Sequence, residues 1–160
     1  MRSEQQVNTA IEQYADMVRR LCMVHLKNYA DTQDIFQNVF LKYALSNIVF
    51  ESDEHEKAWI VRVTINECKD LLKSFFVRKT VPLSEALSCA VHIESQEKEV
   101  LQAVLSLPQK YREVVYLYYY EGYSAVEIGR LLSKNVNTVY TLLNRSKQKL
   151  KEMLGGDFDE

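Results

Sequence analysis

The sequence predicts an all-α protein made of two small helical domains joined by a flexible linker. Its 160 residues include only 4 glycines and 2 prolines, too few for a turn-rich β fold. Long segments on both sides of one interruption carry apolar residues at helical spacing. The length accommodates two domains of about sixty residues or more. We therefore predict a domain over residues 1–79, a linker over 80–95 and a second domain over 96–160.

Three amphipathic helices are predicted in the first domain, over residues 7–28, 31–45 and about 57–76. The second of them places its apolar residues on one stripe, formed by Phe36, Val39, Phe40 and Tyr43. Residues 46–56 break the periodicity and concentrate acids at Glu51, Asp53, Glu54 and Glu56. We interpret them as a solvated loop or helix start. A metal site is the alternative, but the spacing of the acids lacks the EF-hand pattern and its turn glycine.

A polar stripe follows the third predicted helix. Its members stand at spacings of four, three and four residues: Arg62, Asn66, Lys69 and Lys73. The expected apolar face opposite holds Ile60, Val63 and Leu71, and Trp59 lies one turn before Arg62. Cations and an amide beside an aromatic ring suit a phosphate backbone and a stacked, unpaired base. A core tryptophan beside a solvated stripe is an equally favoured alternative from this chemistry alone.

The interruption covers residues 77–95, where no apolar face persists for two turns and Pro82 restricts the residue before it. We therefore predict that the linker lies in this segment. Helices are expected to resume near Gln96 and to stop before Pro108. A further helix is predicted over 108–121, with the proline in its first turn and Gly122 as its C-terminal cap.

Two short helices with a tight turn are predicted next. Ser124 and Glu127 form a capping box that starts the first helix, whose apolar residues Ile128, Leu131 and Leu132 face inward. Gly129 removes a side chain where a second helix could cross closely, and Asn135 can cap that second helix. The pattern is typical of a helix-turn-helix.

The second of these helices is expected to bury Val136, Val139, Leu143 and Leu150. From Ile128 to Lys151 the chain carries six basic and no acidic residues, which suits base edges and phosphates in a major groove. The predicted DNA-contacting residues are Asn137, Thr138, Tyr140, Thr141, Asn144, Arg145 and Lys147. A solvated helical hairpin with a basic face is the alternative.

Composition excludes several other functions. The net charge of −2 predicts weak nonspecific DNA binding by the chain alone. Cys22, Cys68 and Cys89 form no metal or disulfide pattern, so we expect reduced, buried thiols. No phosphate loop, nucleophile motif or membrane span is present, and the three histidines stand apart. We expect a cytosolic binding protein without catalytic residues, cofactor or metal.

The C-terminal motifs resemble region 4 of the sigma factors. The matching residues include Leu107–Pro108, residues 121–124, Glu127–Ile128, Thr138–Val139 and Lys149–Leu150. The resemblance implies that this domain binds the minus-thirty-five promoter element. Three positions depart from the family pattern: Ser133 and Lys134 replace a usual turn glycine and an apolar residue, and Leu142 replaces a common arginine. The loss of that arginine is expected to remove a DNA contact.

The N-terminal motifs are similar to region 2 of the same family. Asp34, Gln37 and Phe40 match its D-x-x-Q-x-x-F pattern, and residues 58–60, Arg62, Asn66 and Asp70 match the segment after it. The resemblance implies a contact with core RNA polymerase through four residues: Asp34, Gln37, Asn38 and Leu41. It implies that the third helix and the loop before it capture a non-template-strand base of the minus-ten element, through Trp59, Arg62, Asn66, Lys69 and Lys73.

The order of the two regions, with only a short linker between them, resembles the extracytoplasmic-function (ECF) sigma factors of the sigma-70 family. The resemblance implies a transcription initiation factor that binds core polymerase and promoter DNA, assists promoter melting and has an anti-sigma partner. A polymerase-independent helix-turn-helix regulator is the alternative, in which the N-terminal helices would supply dimerisation or ligand binding.

Overall fold

The computed structural model describes residues 1–74 and 95–155, with side chains from residue 99 in the second range. The chain divides into two compact units, Met1–Val81 and Pro82–Glu160. Every regular element in the described ranges is helical, as predicted. The predicted linker lies outside the described residues except for Ser95, which begins a helix one residue before the predicted restart. Cys89 also lies outside them.

The N-terminal unit is a three-helix bundle of α1 (Glu4–Leu26), α2 (Tyr29–Leu45) and α3 (Asp53–Lys73), in which each helix packs against the other two. Each helix begins at a side-chain cap, Ser3, Asn28 and Ser52 respectively, which accepts a hydrogen bond from a backbone N–H of the first turn. Leu21, Val39 and Ile60 are fully buried where the helices meet.

Helix α3 begins four residues earlier than its periodicity predicts. The Ser52 hydroxyl accepts a hydrogen bond from the His55 N–H at 3.1 Å, and Asp53, Glu54 and Glu56 occupy the first turn. Acids are favoured there because the N-terminal end of a helix carries partial positive charge. Three of the four clustered acids therefore belong to the helix, and only Glu51 lies in the loop.

The buried face of α3 differs from the prediction. Ile60 is buried as expected, but Val63 and Leu71 are only half-buried. The rest of the core-facing stripe is formed by Val61, Thr64, Ile65 and Cys68. Thr64 is accommodated because its hydroxyl donates to the Ile60 carbonyl at 2.7 Å.

Two cysteines pack inside the N-terminal unit. Cys22 of α1 and Cys68 of α3 are free thiols with no exposed surface, which confirms the predicted burial at both positions. A hydrogen bond between the two thiols, together with burial, raises the pKa of Cys68. Both conditions favour the neutral thiol, so this pair serves as apolar core material.

The C-terminal unit contains α4 (Ser95–Leu105), α5 (Gln109–Val115), a π-helical turn (Tyr116–Tyr120), α6 (Ala125–Leu132) and α7 (Val136–Leu154). Helix α7 packs against α4, α5 and α6. Val104, Leu107, Val114, Ile128 and Leu150 are buried in the core of this unit. The long α7 is therefore the central packing element of the unit.

The helix predicted over 108–121 is not continuous α-helix. Pro108 caps α5 and is not its first residue, and the backbone widens into the π-helical turn. There the Glu121 N–H donates to the Tyr116 carbonyl, five residues back, at 3.2 Å. Gly122 follows with φ +75°, in agreement with its predicted capping role.

A buried arginine fixes the entry to α5. Arg112 is nearly inaccessible, and its guanidinium donates to the Leu107 carbonyl at 2.8 Å. Burial lowers the pKa of Arg112, and the neighbouring Glu113 opposes that shift. The contact holds the turn around Pro108.

Among the described residues, no helix combines the length and apolar composition required to cross a membrane.

Candidate nucleic-acid and polymerase interfaces

The predicted helix-turn-helix is present in the C-terminal unit. At the start of α6 the Ser124 hydroxyl accepts from the Glu127 N–H at 3.1 Å, and the Glu127 carboxylate accepts from the Ser124 N–H at 2.9 Å. These bonds from Ser124 lower the pKa of Glu127. Ile128, Leu131 and Leu132 are buried. The capping box and the inward face are thereby confirmed.

The turn between α6 and α7 brings the backbone of Lys134 close to Gly129. The Lys134 N–H donates to the Gly129 carbonyl at 2.8 Å, and a Cβ at Gly129 would lie only 2.8 Å from the Lys134 carbonyl oxygen. Glycine is required here by the turn backbone, and not by a crossing helix. Ser133 has φ +55°, in the left-handed region, which explains why the family pattern has glycine at this position. Asn135 caps α7 as predicted, through the Asn137 N–H at 2.8 Å.

Helix α7 exposes the predicted DNA-contacting side chains. Six of the seven are exposed and Lys147 is half-buried; the six are Asn137, Thr138, Tyr140, Thr141, Asn144 and Arg145. The Thr141 hydroxyl donates to the Asn137 carbonyl at 3.0 Å, so toward solvent it presents a methyl group and acceptor lone pairs. The surface contains no carboxylate to repel phosphates.

The buried side of α7 corrects two predictions. Val136 is only half-buried, whereas Leu142 is 7% exposed and belongs to the core with Val139, Leu143 and Leu150. Leucine suits position 142 because this position packs in the core and does not belong to the exposed face of α7. The fully buried Ser146 donates its hydroxyl to the Leu142 carbonyl at 2.6 Å.

The polar stripe of α3 faces solvent. Arg62, Asn66 and Lys73 are exposed and Lys69 is half-exposed. Trp59 is half-buried at the rim, with its ring centroid 6.1 Å from Tyr43 and 5.8 Å from Phe50. The stripe and the aromatic ring are thus brought onto neighbouring surface, as the pattern predicts.

A carboxylate that the sequence did not single out links the three helices of this unit. Glu56 of α3 accepts hydrogen bonds from the Tyr14 hydroxyl of α1 at 3.1 Å and the Tyr43 hydroxyl of α2 at 2.7 Å. Burial and the bond to Glu56 raise the pKa of Tyr43 to about 12, and burial likewise raises the pKa of Tyr14. The start of α3, next to the α2–α3 loop, is therefore held in place.

The side chain of Arg2 is a second feature absent from the sequence prediction. Its guanidinium donates to the Tyr43 carbonyl at 3.1 Å and to the Ile48 carbonyl. The same group lies over the rings of Tyr43 and Phe50, at 4.5 and 4.9 Å from their centroids. Arg2 also lines a groove of about 820 Å³ between α1 and residues 46–53.

The predicted polymerase surface lies on the outer face of α2. Asp34, Gln37 and Asn38 are exposed, and Leu41 is 57% exposed. Leu45 continues this face one turn later with 58% exposure. At the edge of the same helix, the Lys42 ammonium pairs with the Glu67 carboxylate of α3 at 2.6 Å. An amide and carboxylate surface with exposed leucines is thus available to a protein partner.

Comparison with known families identifies the family to which the chain belongs. The family model described as Sigma-70 region 2 matches residues 10–74, and that described as Sigma-70, region 4 matches residues 97–150. RNA polymerase sigma factor SigZ of Bacillus subtilis is 30% identical over 135 residues, which cover 77% of this chain and 72% of SigZ. ECF RNA polymerase sigma factor SigW of the same organism is 26% identical over 161 residues, covering 90% and 86% respectively. The chain is an ECF sigma factor of the sigma-70 family.

Solved structures share the fold of this sigma factor. RpoE from Bartonella quintana, in complex with the anti-sigma factor NepR, matches with a TM-score of 0.72 at 15% identity, covering 96% of this chain and 99% of RpoE. CnrH, in complex with the cytosolic domain of CnrY, matches with a TM-score of 0.66 at 20% identity, covering 98% and 92%. Members of the family are non-enzymatic transcription initiation factors.

Proposed function

We propose that this ECF sigma factor binds core RNA polymerase in the cytoplasm and directs it to specific promoters, without chemistry of its own. The observation that carries the proposal is the presence of regions 2 and 4 in family order, each with its predicted contact residues on the surface. We assign the two regions to domains over residues 1–79 and 96–160. Family membership disfavours a stand-alone helix-turn-helix regulator.

The C-terminal unit contacts the minus-thirty-five duplex through the exposed face of α7. Asn137, Thr138 and Thr141 lie in its first two turns, where a recognition helix reaches base edges. Asn144 and Arg145 continue that face, and Tyr140 adds an exposed ring. Lys147 stands at its far end and supplies attraction to phosphates, which favours all sequences alike.

The N-terminal unit holds the melted minus-ten strand. Arg62, Asn66, Lys69 and Lys73 provide donors along one face of α3, and the half-buried Trp59 supplies a rigid ring beside them. Donors beside a ring are the combination that binds a single-stranded backbone and stacks a base. Capturing a flipped base offsets part of the few kcal/mol required to unstack each step.

The outer face of α2 docks on core polymerase through Asp34, Gln37, Asn38 and Leu41. Exposed leucine beside hydrogen-bonding groups is typical of a protein interface. We also propose an anti-sigma partner, on the strength of related folds crystallised with NepR and with the cytosolic domain of CnrY.

Reconstituted transcription tests the proposal. Core polymerase with and without this chain transcribes a library of genomic fragments, and we expect a defined set of start sites only with the chain. The double substitution Asp34→Ala with Gln37→Ala is expected to weaken core binding in pull-down assays while thermal unfolding is unchanged, because both side chains are exposed. Tight operator binding by a dimeric chain, with no effect on core polymerase, would instead support the stand-alone regulator.

A further inference from the structure

The loop of residues 46–52 is held by aromatic and polar contacts on the side of α3. Phe50 lies parallel to the Tyr43 ring at 6.3 Å and meets His55 edge-on at 5.1 Å. The Glu51 N–H donates to His55 Nδ1 at 3.1 Å. These contacts fix the end of the loop next to α3. They leave its first half, residues 46–49, without an anchor on that helix.

Arg2 anchors that first half, together with the Met1 ammonium, which donates to Asn47 Oδ1 at 2.8 Å. Its backbone N–H donates to the Ala44 carbonyl at 2.8 Å, and its guanidinium donates to the Tyr43 carbonyl. Both acceptors belong to the last turn of α2, where the Tyr43 carbonyl also accepts from the Ser46 N–H at 3.2 Å. The guanidinium then reaches the Ile48 carbonyl in the loop. A single side chain thus joins the end of α2 to the middle of the loop.

The geometry of this contact is specific to arginine. The guanidinium donates to two carbonyls through two of its nitrogens while its carbon lies 4.5 and 4.9 Å from the ring centroids of Tyr43 and Phe50. A lysine ammonium is a point charge without that planar fork, so it does not reproduce the bridge and the stacking together. Immediately after Ile48 the loop presents Val49, which is 86% exposed. The bridge therefore fixes the backbone next to Val49, whose apolar side chain projects into solvent.

We propose that Arg2 is a positioning residue for the loop of residues 46–52 and, through that loop, for selection of the minus-ten base. The inference rests on the proposed function, because it takes this loop and Trp59 to receive the flipped base. Arg2 itself does not touch DNA in this scheme. Its effect is to keep Ile48, Val49 and Phe50 in one conformation, so that one base is preferred over the others.

The first test needs no DNA or polymerase. Trp59 is the sole tryptophan of the chain and touches Phe50, so its fluorescence reports the loop. We expect Arg2→Ala to shift the emission to the red and to increase quenching by acrylamide, and Arg2→Lys to do so in part. The matched control is Arg19→Ala, which removes a guanidinium placed 4.5 Å over Phe36, and we expect no such change. Unaltered Trp59 fluorescence in both Arg2 variants overturns the proposal.

The second test measures selectivity in the holoenzyme. Transcription is compared on promoters that differ only at single positions of the minus-ten element. With Arg2→Ala the ratio between the preferred and the next base is expected to fall by about fivefold, the scale of one lost hydrogen bond. Arg2→Lys is expected to lose much of the selectivity while keeping the charge, and Arg19→Ala to retain it.

The outcomes separate the inference from the function on which it rests. A uniform loss on all promoters in Arg2→Ala, restored by Arg2→Lys, assigns Arg2 to phosphate attraction and overturns the positioning role. Changed Trp59 fluorescence with unchanged base ratios overturns the link to selection. If the unmodified chain directs no transcription by core polymerase, the proposed function is wrong. The Trp59 fluorescence still reports, in that case, whether Arg2 orders the loop.

Discussion

Glu56 is the residue at which the structure departs most from its predicted environment. The sequence placed it in an acidic, solvated segment, yet its carboxylate receives two phenol hydroxyls from two other helices. Its partners lie 42 and 13 residues away along the chain. Periodicity reports which side of a helix is apolar, but it carries no information on pairing between polar groups so distant in sequence.

Removing the Glu56 charge is expected to destabilise the N-terminal unit. Glu56→Gln replaces a charged acceptor of two hydrogen bonds with a neutral amide, and such bonds contribute about 1–3 kcal/mol in proteins. Because the site is at the edge of the core, we expect a loss of about 1–2 kcal/mol in the free energy of unfolding, measured by urea denaturation. Glu54→Gln, at an exposed position of the same turn, is the control. Equal losses in the two variants would contradict the assigned contact.

The same contact predicts a pH dependence. The pKa of Tyr43 rises from 10.0 to about 12 on folding, so in this range the unfolded chain has lost a proton that the folded chain retains. Since the folded state binds more protons, its stability is intact below pH 10.0 and falls as pH rises toward 12. Urea titrations across this range should show a shallower decline in Tyr43→Phe. An identical slope in the variant would show that Tyr43 does not titrate in this way.

The individual helices differ in how well local sequence patterns predict their starts and their buried residues. Capping residues and apolar periodicity predicted the helix-turn-helix closely, because Ser124, Glu127 and Asn135 act through bonds to residues two or three positions away. The start of α3 was placed four residues too late, with a loop or a helix start left open before it, because its first turn is polar and carries no apolar periodicity. The π-helical turn and the burial of Leu142 depend on packing within the C-terminal unit, which no local pattern encodes.

Ser133 offers a test of the turn between α6 and α7. A residue with a Cβ in the left-handed conformation costs about 1–2 kcal/mol, of which the extra freedom of unfolded glycine cancels about 0.4–1 kcal/mol. Ser133→Gly is therefore expected to stabilise the C-terminal unit by about 0.5–1 kcal/mol. Differential scanning calorimetry should register a higher unfolding temperature for that unit.

A substitution at Gly129, in the same turn, is expected to change the stability of the unit in the opposite direction. Gly129→Ala improves intrinsic helix propensity but places a Cβ 2.8 Å from the Lys134 carbonyl, so we expect net destabilisation. A lower unfolding temperature for Ser133→Gly would contradict the strain assigned to Ser133.

At the scale of the whole molecule, charge is unevenly distributed. The net charge is −2, whereas the segment from Ile128 to Lys151 carries six basic residues and no acid. Positive charge is thus concentrated on local surfaces, most strongly on this segment, while the chain as a whole has no general positive field. The sequence alone predicted this distribution and most of the exposed residues in the three sets on α2, α3 and α7, but not the contacts of Arg2 and Glu56 that organise the N-terminal unit.

The free sigma factor is accordingly expected to bind promoter duplex poorly. When core polymerase holds both units, the second DNA contact becomes effectively intramolecular, which can raise overall avidity by about a hundredfold or more. Gel-shift titrations of the free chain and of the holoenzyme, on the same promoter at the same salt concentration, measure the difference. Comparable nanomolar affinity in both would contradict this dependence on polymerase.

The length of α7 has a consequence for how promoter choice changes between relatives. Its 19 residues extend about 28 Å, more than twice the roughly 12 Å width of a major groove. We therefore expect base reading to be confined to the segment from Asn137 to Arg145, while the later turns of α7 bury Ser146 and Leu150 in the unit and expose most of their other side chains. We expect promoter preference to change when only the exposed side chains of this segment are exchanged, because Val139, Leu142 and Leu143 remain buried and the fold is kept.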